Sequence, residues 1–395
     1  MKPGEVTEVL GALARWALLL PLLPLAALRR CNPTTPWVIG GHRGRICEDN
    51  AGALHRHIAE HTDQSIVWIT GSEQVERELA ARGHATRRRG TLAAQWVILS
   101  APVLIYSHGE DDLDPVLLLL RGLTGMRVYI NHSQNHIKTG ELYTTHYESL
   151  RGLRKRLYEW TVTSFDHLLA SSERERRNFA LSYPHLADRI ELGGGAHVDL
   201  FLQNRNRAPG NTLFYFPTFR DTPDVAEQLQ QTLRALVSHA TLQQWLLDSG
   251  LTLRIGAHIN TGGHAVEVVP PFELFPLARL KEAVFDCQAF ISDYSGILGD
   301  FVAFDRPTVF FPFDRADYLR FRRLYVDYDE LAFGPVVESV DALVELLTSE
   351  RWRDMAPWAE RRAYWRAEIF PTLEPVYARA GHEAIVRLLH AWQAR

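Results

Sequence analysis

Short runs of apolar residues alternate along the chain with stretches in which apolar residues recur at helical spacing. From residue 36 onward, the runs that predict strands are Trp37–Gly40, Ser65–Thr70, Gln95–Leu99, Val103–Tyr106, Met126–Asn131, His167–Ala170, Thr212–Phe216, Leu251–Ile255, Ala289–Ile291 and Thr308–Phe311. Between the first strands, Ala51–Ala59 and Glu73–Ala81 have helical spacing. Apolar strands that alternate with amphipathic helices are typical of parallel, doubly wound α/β sheets. We therefore expect two such domains facing each other across a cleft, with ligands at the carboxyl ends of the strands.

The polar stretch Gln203–Asn211 separates the two groups of strands and suits an interdomain linker. With 395 residues, of which 46% are hydrophobic, the chain is long enough for two cores. The expected divisions are an apolar segment at 1–33, an N-terminal domain at 34–203, a second domain at 204–350 and C-terminal helices at 351–395 that pack back on the N-terminal domain.

The N-terminal segment Val9–Leu28 is almost wholly apolar but contains Arg15 and two prolines. These interruptions, and the absence of a small-residue cleavage site, argue against a membrane-spanning helix and against a secretory signal. We interpret the segment as a helix that lies on the cytoplasmic face of the membrane, with Trp16, Arg29 and Arg30 at headgroup level. The alternative is an apolar leader packed on the protein's own surface.

Charge and cysteine content narrow the function classes. A net charge of −4 gives no general attraction to nucleic acid, so no nucleic-acid partner is expected. The three cysteines are scattered, without a CxxC or a Cys/His spacing, so neither a disulfide framework nor a zinc site is indicated, which fits a reducing cytosol. There are two basic clusters, Arg82 with Arg87–Arg89 and Arg151 with Arg154–Arg156. They are candidates for binding anionic headgroups or a polyphosphate chain, although they are equally consistent with solvated faces.

A polar turn follows the predicted strand Ala289–Ile291, and apolar residues then recur at helical spacing. This pattern predicts a strand, a tight turn and a helix that begins near Ser295. The first turn of a helix presents unpaired amides and the positive end of the helix dipole, and Ser292, Ser295 and Gly296 leave room there for an anion. The alternative is that Ser292 or Asp293 only caps a structural helix.

Other predicted strands also end in polar groups. His132, His136 and Lys138 follow the strand Met126–Asn131. A histidine at such a strand end can take the proton of an attacking hydroxyl at neutral pH, and a lysine can offset phosphate charge. Either histidine is also compatible with an ordinary loop position.

In the second half, Thr218 and Arg220 offer a hydroxyl and a forked guanidinium after one strand, a suitable pair for phosphate. His258 follows the next strand and could donate to a phosphoryl oxygen or a leaving group. Near the N-terminus, the stretch Gly40–Asn50 is rich in glycine, so its backbone can approach a ligand closely.

Several motifs together resemble a known family. In chain order they are Trp37–Asn50, Ser65–His108, Ser171-Ser-Glu173, Gly194-Gly-Ala-His-Val-Asp199, Phe216-Pro-Thr-Phe-Arg-Asp221, Ile291-Ser-Asp-Tyr-Ser-Gly296, Phe313-Asp-Arg-Ala-Asp-Tyr318 and Gly334-Pro-Val-Val337. Over roughly residues 36–347 they resemble, in matching order, the signature of the CDP-glycerol glycerophosphotransferases, the primases and polymerases of teichoic acids and related capsule polymers.

The resemblance implies a GT-B-like fold of two facing Rossmann-like domains and peripheral association with the cytoplasmic face of the membrane. It implies transfer of a polyol phosphate, foremost glycerol phosphate, from a CDP-activated donor to a hydroxyl of a lipid-linked or polymeric acceptor, with release of CMP. No metal and no other cofactor is expected to be required. An oligomer is compatible with the resemblance.

The resemblance also assigns roles to residues. His132 matches the family's proposed base, Lys138 its lysine and His258 its second essential histidine. Because His132 lies one residue further from its lysine than in the family, His136 is the alternative base. The positions that match the donor or phosphate side are Thr218, Arg220, Ser292, Asp293, Ser295 and Gly296, and those expected on the acceptor or phosphate side are Lys138, Gly41 and Asn50.

The expected mechanism is attack of an acceptor hydroxyl, deprotonated by His132, on the phosphorus that bears the polyol. Charge on the pyrophosphate would be met by the helix N-terminus at Ser295, by Arg220 and by His258. Two other functions remain open. One is a GT-B glycosyltransferase that uses a nucleotide sugar, and the other is a non-catalytic assembly protein of the membrane surface.

Overall fold

The computed structural model divides the chain into two compact units. The first unit comprises Met1–Gln134, Leu150–Asp199 and Glu374–Arg395, and the second comprises Asn135–Ser149 and Leu200–Leu373. The residues that the structure describes are 3–218, 220, 223–257, 268–276 and 279–394.

Twelve strands are present in the described residues: β1 (Trp37–Gly40), β2 (Ile66–Thr70), β3 (Thr86–Arg88), β4 (Val103–Tyr106), β5 (Met126–Tyr129), β6 (His167–Ala170), β7 (Ile190–Leu192), β8 (Thr212–Phe216), β9 (Thr252–Ala257), β10 (Phe272–Pro276), β11 (Cys287–Ser292) and β12 (Thr308–Phe310). The α-helices of the described residues are α1 (Pro3–Leu19), α2 (Leu23–Arg30), α3 (Asn50–His61), α4 (Glu73–Ala81), α5 (Leu92–Ser100), α6 (Thr145–Ser149), α7 (Gly152–Val162), α8 (Glu173–Ser182), α9 (Val198–Asn204), α10 (Pro223–Val237), α11 (Ala240–Ser249), α12 (Leu280–Asp286), α13 (Ile297–Phe301), α14 (Arg315–Phe321), α15 (Tyr328–Leu331), α16 (Val340–Thr348), α17 (Ala359–Ile369) and α18 (Tyr377–Gln393).

The first unit is built on a seven-stranded sheet in the order β3-β2-β1-β4-β5-β6-β7. Its strand pairs are parallel, with Val38 opposite Leu104 and Val128 opposite His167 as examples of the register. The strand order reverses between β1 and β4, and ligands of such sheets bind outside the carboxyl ends of the strands at this switch point. The loops that follow β1 and β4 are therefore where a ligand site is expected.

The second unit has a five-stranded parallel sheet in the order β10-β9-β8-β11-β12. Ser292 at the end of β11 pairs with Phe216 at the end of β8, so the loops after these two strands are neighbours. Here the order reverses between β8 and β11. Both sheets confirm the predicted α/β class with parallel strands.

Most of the predicted strands are confirmed, but Gln95–Leu99 is wrong, because this run lies inside helix α5. The side chain of Thr91 caps the helix by accepting from the amide of Ala94 at 3.2 Å. Helix α5 contacts β3 as well as α1 and α2, so apolar residues are required around most of its circumference. A short apolar run of this kind cannot be distinguished by periodicity from a buried strand.

The segment Asn135–Ser149 belongs to the second unit, which corrects the expected N-terminal domain at 34–203. Backbone hydrogen bonds hold this segment in the second unit. The amide of Thr139 donates to the carbonyl of Arg323 at 3.1 Å, and the amide of Tyr325 donates to the carbonyl of Ile137 at 2.9 Å. The pairing partners are about 185 residues away in sequence, so local patterns could not reveal it.

The expectation for 351–395 also needs correction, because residues up to Leu373 belong to the second unit. Within that unit, the α17 side chain Arg362 donates to the carbonyl of Phe304 at 2.8 Å. Helix α18 is part of the first unit, where it packs against α3 and its amide at Tyr377 donates to Asp199 at 2.8 Å.

The N-terminal helices α1 and α2 pack on α5. The indole N–H of Trp16 is buried and donates to Asp114 at 3.0 Å. Gln95 donates to the other carboxylate oxygen of Asp114 at 2.9 Å and to the carbonyl of Ala12 at 3.3 Å. The expected position of Trp16 at headgroup level is therefore wrong, since a buried indole N–H needs a partner and finds it inside the protein.

The other side of these helices is exposed and apolar. Leu10, Leu18, Leu25 and Leu28 are 61%, 67%, 50% and 71% exposed. By length and composition alone, the helical stretch Glu5–Arg30 is sufficient to cross a membrane, a criterion that core helices and signal sequences also meet. We call the four leucines the leucine face.

Candidate active site

Three histidines follow neighbouring strands of the first sheet. His42 comes after β1, His108 after β4 and His132 after β5, and the carboxyl ends of these parallel strands lie side by side. The ring centroids of His42 and His108 are 3.9 Å apart, and those of His108 and His132 are 4.5 Å apart with nearly parallel planes. We call these residues the histidine cluster.

A strained loop holds His42. His42, Arg43 and Gly44 all have positive φ, at 49°, 54° and 73°. A Cβ at Gly44 would lie 2.2 Å from the amide nitrogen of Gly71, so only glycine fits there. Left-handed conformations are costly for residues with side chains and persist where the surrounding structure requires them, which occurs most often at functional sites.

The buried carboxylate of Asp112 joins the loops after β1 and β4. It accepts from the amides of Arg43 at 2.9 Å, Ser107 at 3.1 Å and His108 at 2.8 Å. Burial alone would raise the pKa of Asp112, but the interaction with His108 and the backbone hydrogen bonds lower it. The carboxylate therefore stays charged and fixes both loops.

Asp49 connects helix α3 to the histidine cluster. One of its oxygens caps α3 by accepting from the amides of Ala51 at 2.9 Å and Gly52 at 3.2 Å. The other oxygen accepts from the hydroxyl of Ser107 at 2.7 Å and lies 3.6 Å from Nε2 of His42. Burial and the neighbouring His108 lower the pKa of His42, while Asp49 opposes that shift.

His132 is exposed, but its backbone is fixed. Asn131 has a positive φ of 51°, and its side-chain oxygen accepts from the amide of His132 at 2.9 Å. The side-chain nitrogen of Asn50 donates to the carbonyls of Ile130 at 3.3 Å and Asn131 at 3.2 Å. The side-chain oxygen of Asn50 accepts from the backbone N–H and the ring Nδ1 of His197. Asn50, which was expected to contact acceptor or phosphate, is thus committed to holding the strand end.

Gly41 is also explained by packing. A Cβ there would lie 2.9 Å from the hydroxyl of Ser107 and 3.3 Å from the Cβ of Ala51, so glycine lets the end of β1 approach both. His136 is buried and, with Lys138, lies in the segment that joins the second unit. The structure therefore groups His132 with His42 and His108 within the first unit.

At the switch point of the second sheet, Asp293 joins the loops after β8 and β11. One of its oxygens accepts from the amides of Thr218 at 2.9 Å and Tyr294 at 2.6 Å. The hydroxyl of Thr218 is buried without a hydrogen-bond partner among the described residues. A buried hydroxyl without a partner is energetically unfavourable, which marks this position as one where a ligand oxygen would be stabilised.

Arg220 lies in a buried ion cluster. Its guanidinium donates to Asp314 at 2.5 and 2.9 Å and to Asp293 at 2.7 Å, and its side chain is 1% exposed. Burial alone would lower the pKa of Arg220, but the two carboxylates raise it. The direct phosphate contact expected of Arg220 is therefore not supported, because its guanidinium is used to fix the loops that carry Thr218 and Asp293.

The turn after β11 differs from expectation in detail. Helix α13 begins at Ile297 and has only five residues, so its dipole is smaller than that of a longer helix. The hydroxyl of Ser292 is buried and donates to the carbonyl of Phe216 at 2.6 Å, which makes it structural. Ser295 and Gly296 remain at the start of the helix, as expected. His258, expected as the second catalytic histidine, lies outside the described residues.

Sequence reasoning missed His42, Asp49, His108 and Asp314 as parts of these two sites. The signal for the first three was available, since each of them follows β1 or β4, the strands on either side of the switch point. The role of Asp314 had no local signal, because its partner Arg220 is 94 residues away.

Two doubly wound parallel sheets, each with fixed polar loops at its switch point, place the chain among the doubly wound α/β proteins. The sequence profile of the CDP-glycerol:poly(glycerophosphate) glycerophosphotransferases matches residues 38–368. The chain belongs to this family.

Individual relatives agree with the family. The chain is 22% identical over 331 residues to a teichoic acid glycerol-phosphate transferase of Staphylococcus aureus, covering 77% of this chain and 81% of the relative. It is 34% identical over 72 residues to the teichoic acid ribitol-phosphate polymerase TarL of the same species, covering 18% of this chain and 13% of TarL. The match therefore spans a small part of TarL's length. Among solved structures, the wall teichoic acid polymerase TagF has a TM-score of 0.70 at 14% identity, with all of both chains covered, which shows a shared fold.

Removing the charge of Arg220 tests whether the buried ion cluster is structural. Arg220→Met leaves Asp293 and Asp314 buried without their cation, which should lower the free energy of unfolding by about 3–5 kcal/mol. The matched control is Arg315→Met, since Arg315 binds Asp329, which is 68% exposed. The control should lose about 0–1 kcal/mol. Urea unfolding of both variants measures the difference, and equal losses would contradict the structural role.

Proposed function

We propose that the protein transfers a polyol phosphate from a CDP-activated donor to a hydroxyl of a lipid-linked or polymeric acceptor, releasing CMP, in the synthesis of a cell-surface polymer. Glycerol phosphate is the group that the family description favours. The observation that supports the proposal most is an exposed histidine, His132, held by Asn131 and Asn50 at a strand end beside the switch point of the first sheet. Such a position is suited to a general base.

His132 is the better candidate for the base than His136. His132 is exposed at the end of β5, where an acceptor hydroxyl can reach it, whereas His136 is 1% exposed. In the proposed reaction, His132 takes the proton of the acceptor hydroxyl as the oxygen attacks the phosphorus that bears the polyol. The bond between that phosphorus and the bridging oxygen breaks, and CMP leaves with the electron pair.

On the donor side, the proposal assigns the phosphates to the loops after β8 and β11. The groups offered to phosphate oxygens are the hydroxyl of Thr218, which has no partner within the described parts of the chain, and the start of α13 at Ser295 and Gly296. Asp293 and Arg220 act through these loops as positioning residues. Positioning and electrostatic stabilisation supply most of the catalysis in phosphoryl transfer, so a covalent nucleophile is not needed.

The exchange of one histidine for glutamine separates the two candidate bases. His132→Gln removes proton transfer and should lower kcat for CMP release by about 10²–10⁴-fold, the usual contribution of a general base. His136→Gln should keep kcat within about tenfold. His185→Gln, at an exposed position, is the control for loss of one imidazole. A normal rate for His132→Gln together with an inactive, folded His136→Gln would reverse the assignment.

We propose further that the transfer needs no metal. The measurement is release of CMP from CDP-glycerol, CDP-ribitol and UDP-sugars, with mass spectrometry of the product, before and after treatment with EDTA. A CDP-polyol should be consumed at an unchanged rate after EDTA. Complete loss that magnesium restores would overturn the metal-free mechanism. Turnover of UDP-sugars alone would instead favour a glycosyltransferase, and binding without turnover would favour the assembly protein.

We also propose that the protein lies on the cytoplasmic face of the membrane through the leucine face of α1 and α2. Polar contacts hold the opposite side of α1 on the protein, notably the bond from Trp16 to Asp114. A helix packed in this way on one side and apolar on the other is suited to lying in the interface rather than to crossing it. Arg87 and Arg88 are also exposed, although Arg88 is paired with Glu73, and Arg89 is paired with Glu8 and Asp111.

Flotation with vesicles tests the leucine face. Withdrawing one leucine side chain from water contributes roughly 1.5–3 kcal/mol, so Leu18→Ser with Leu28→Ser should reduce the vesicle-bound fraction at least about tenfold. The matched control is Leu181→Ser with Leu247→Ser, at leucines that are 56% and 55% exposed elsewhere. Equal flotation of both variants would contradict the proposal, and resistance of the wild-type protein to alkaline extraction would favour a spanning helix.

A further inference from the structure

Two histidines and one carboxylate of the first unit lie within reach of a single metal ion. The ligand atoms of His42, Asp49 and His108 are all within 4.8 Å of one another. Oδ2 of Asp49 is 3.6 Å from Nε2 of His42 and 4.0 Å from Nδ1 of His108. Zinc bonds of about 2.0 Å in a tetrahedral arrangement place ligand atoms about 3.3 Å apart. Side-chain movements of up to about 1.5 Å, the difference between 4.8 Å and this spacing, would therefore bring the three groups to bonding distance.

The three side chains are held from outside the cluster. The strained loop and the bond from Arg43 to Asp112 fix His42. Capping of α3 fixes Asp49, and the amide of His108 is bound by Asp112. Such supporting contacts orient the ligands of metal sites and are as important as the ligands themselves.

An ion would replace the present contacts of the His108 ring, which also include Asp112 at 3.7 Å. Nδ1 of His108 is 3.0 Å from the hydroxyl of Ser107 and 3.4 Å from the backbone nitrogen of His42. The hydroxyl of Ser107 has a shorter bond to Asp49 at 2.7 Å. A small turn of the His108 ring thus releases its nitrogen without disturbing the bond that orients the carboxylate.

The donor set and its exposure indicate the kind of ion. Two imidazoles with one carboxylate suit zinc and similar transition metals, whereas magnesium and calcium prefer oxygen ligands. The side chains of His42 and His108 are each 33% exposed, so an ion can reach them from solvent. Three protein ligands leave at least one coordination position open, as in zinc sites that bind a further molecule.

We propose that His42, Asp49 and His108 bind one zinc-type divalent ion, whose open position accepts water or a phosphate oxygen. The ion would lie beside His132, whose ring stacks on that of His108 with centroids 4.5 Å apart, but the proposed transfer does not require the ion. An enzyme that is active after EDTA and still binds one zinc ion would satisfy both.

Zinc binding to the purified full-length protein tests the site. Isothermal titration after removal of metals should give one zinc ion per chain, and magnesium should not compete. His42→Ala and His108→Ala should each weaken the binding by at least about 100-fold, since loss of supporting contacts alone costs 10–100-fold.

The control is the double variant His57→Ala with His61→Ala. These two histidines lie one turn apart on α3 with ring centroids 5.5 Å apart, a spacing at which adventitious zinc also binds. This variant should keep the tight site. If it loses zinc while the His42 and His108 variants retain it, the proposal is wrong.

Anomalous scattering at the zinc edge gives an answer that does not depend on variants. Crystals of the wild-type protein grown with zinc should show one peak between His42, Asp49 and His108. A peak only at another position, or no peak at zinc concentrations that saturate the titration, would overturn the proposal. Circular dichroism of the alanine variants separates loss of a ligand from loss of folding.

Discussion

In each unit, a buried aspartate joins the two loops that flank the switch point of the sheet. Asp112 accepts from amides in the loops after β1 and β4, and Asp293 accepts from amides after β8 and β11. Parallel strands end at the same edge of a sheet, but their loops diverge unless a common partner holds them. A carboxylate without solvent is stable only when donors surround it, so each loop pair is fixed in one arrangement.

This constraint determines which residues remain available for chemistry. In the first unit, Asn50 and Asp112 are occupied by structural bonds, and the histidine cluster is left with its backbone fixed. In the second unit, Arg220 neutralises Asp293 and Asp314, so the loops keep their shape without a ligand. The residues that look most suited to phosphate in the sequence are therefore partly structural, and the exposed groups beside them are the candidates for catalysis.

The N-terminal segment shows how one helix can have two apolar sides with different roles. The side with Ala12 and Trp16 is buried on α5 and includes a hydrogen bond to Asp114. The leucine face is exposed to solvent. Burial of both sides would require a second surface, and a lipid interface is one that needs no specific partner.

The amino-acid sequence by itself determined the α/β class, most strands and the motifs of the family, because apolar periodicity and turn residues are local properties. It also located His132 and Thr218 at strand ends. Local patterns did not predict helix α5, because its short apolar run resembles that of a buried strand. They also did not predict the place of the segment Asn135–Ser149, because it pairs with residues far along the chain. Only the tertiary structure decided that Arg220 is bound by two buried carboxylates and that His108 meets His42 and Asp49, because these contacts join residues far apart in sequence, up to 94 positions, that the sheet order brings together.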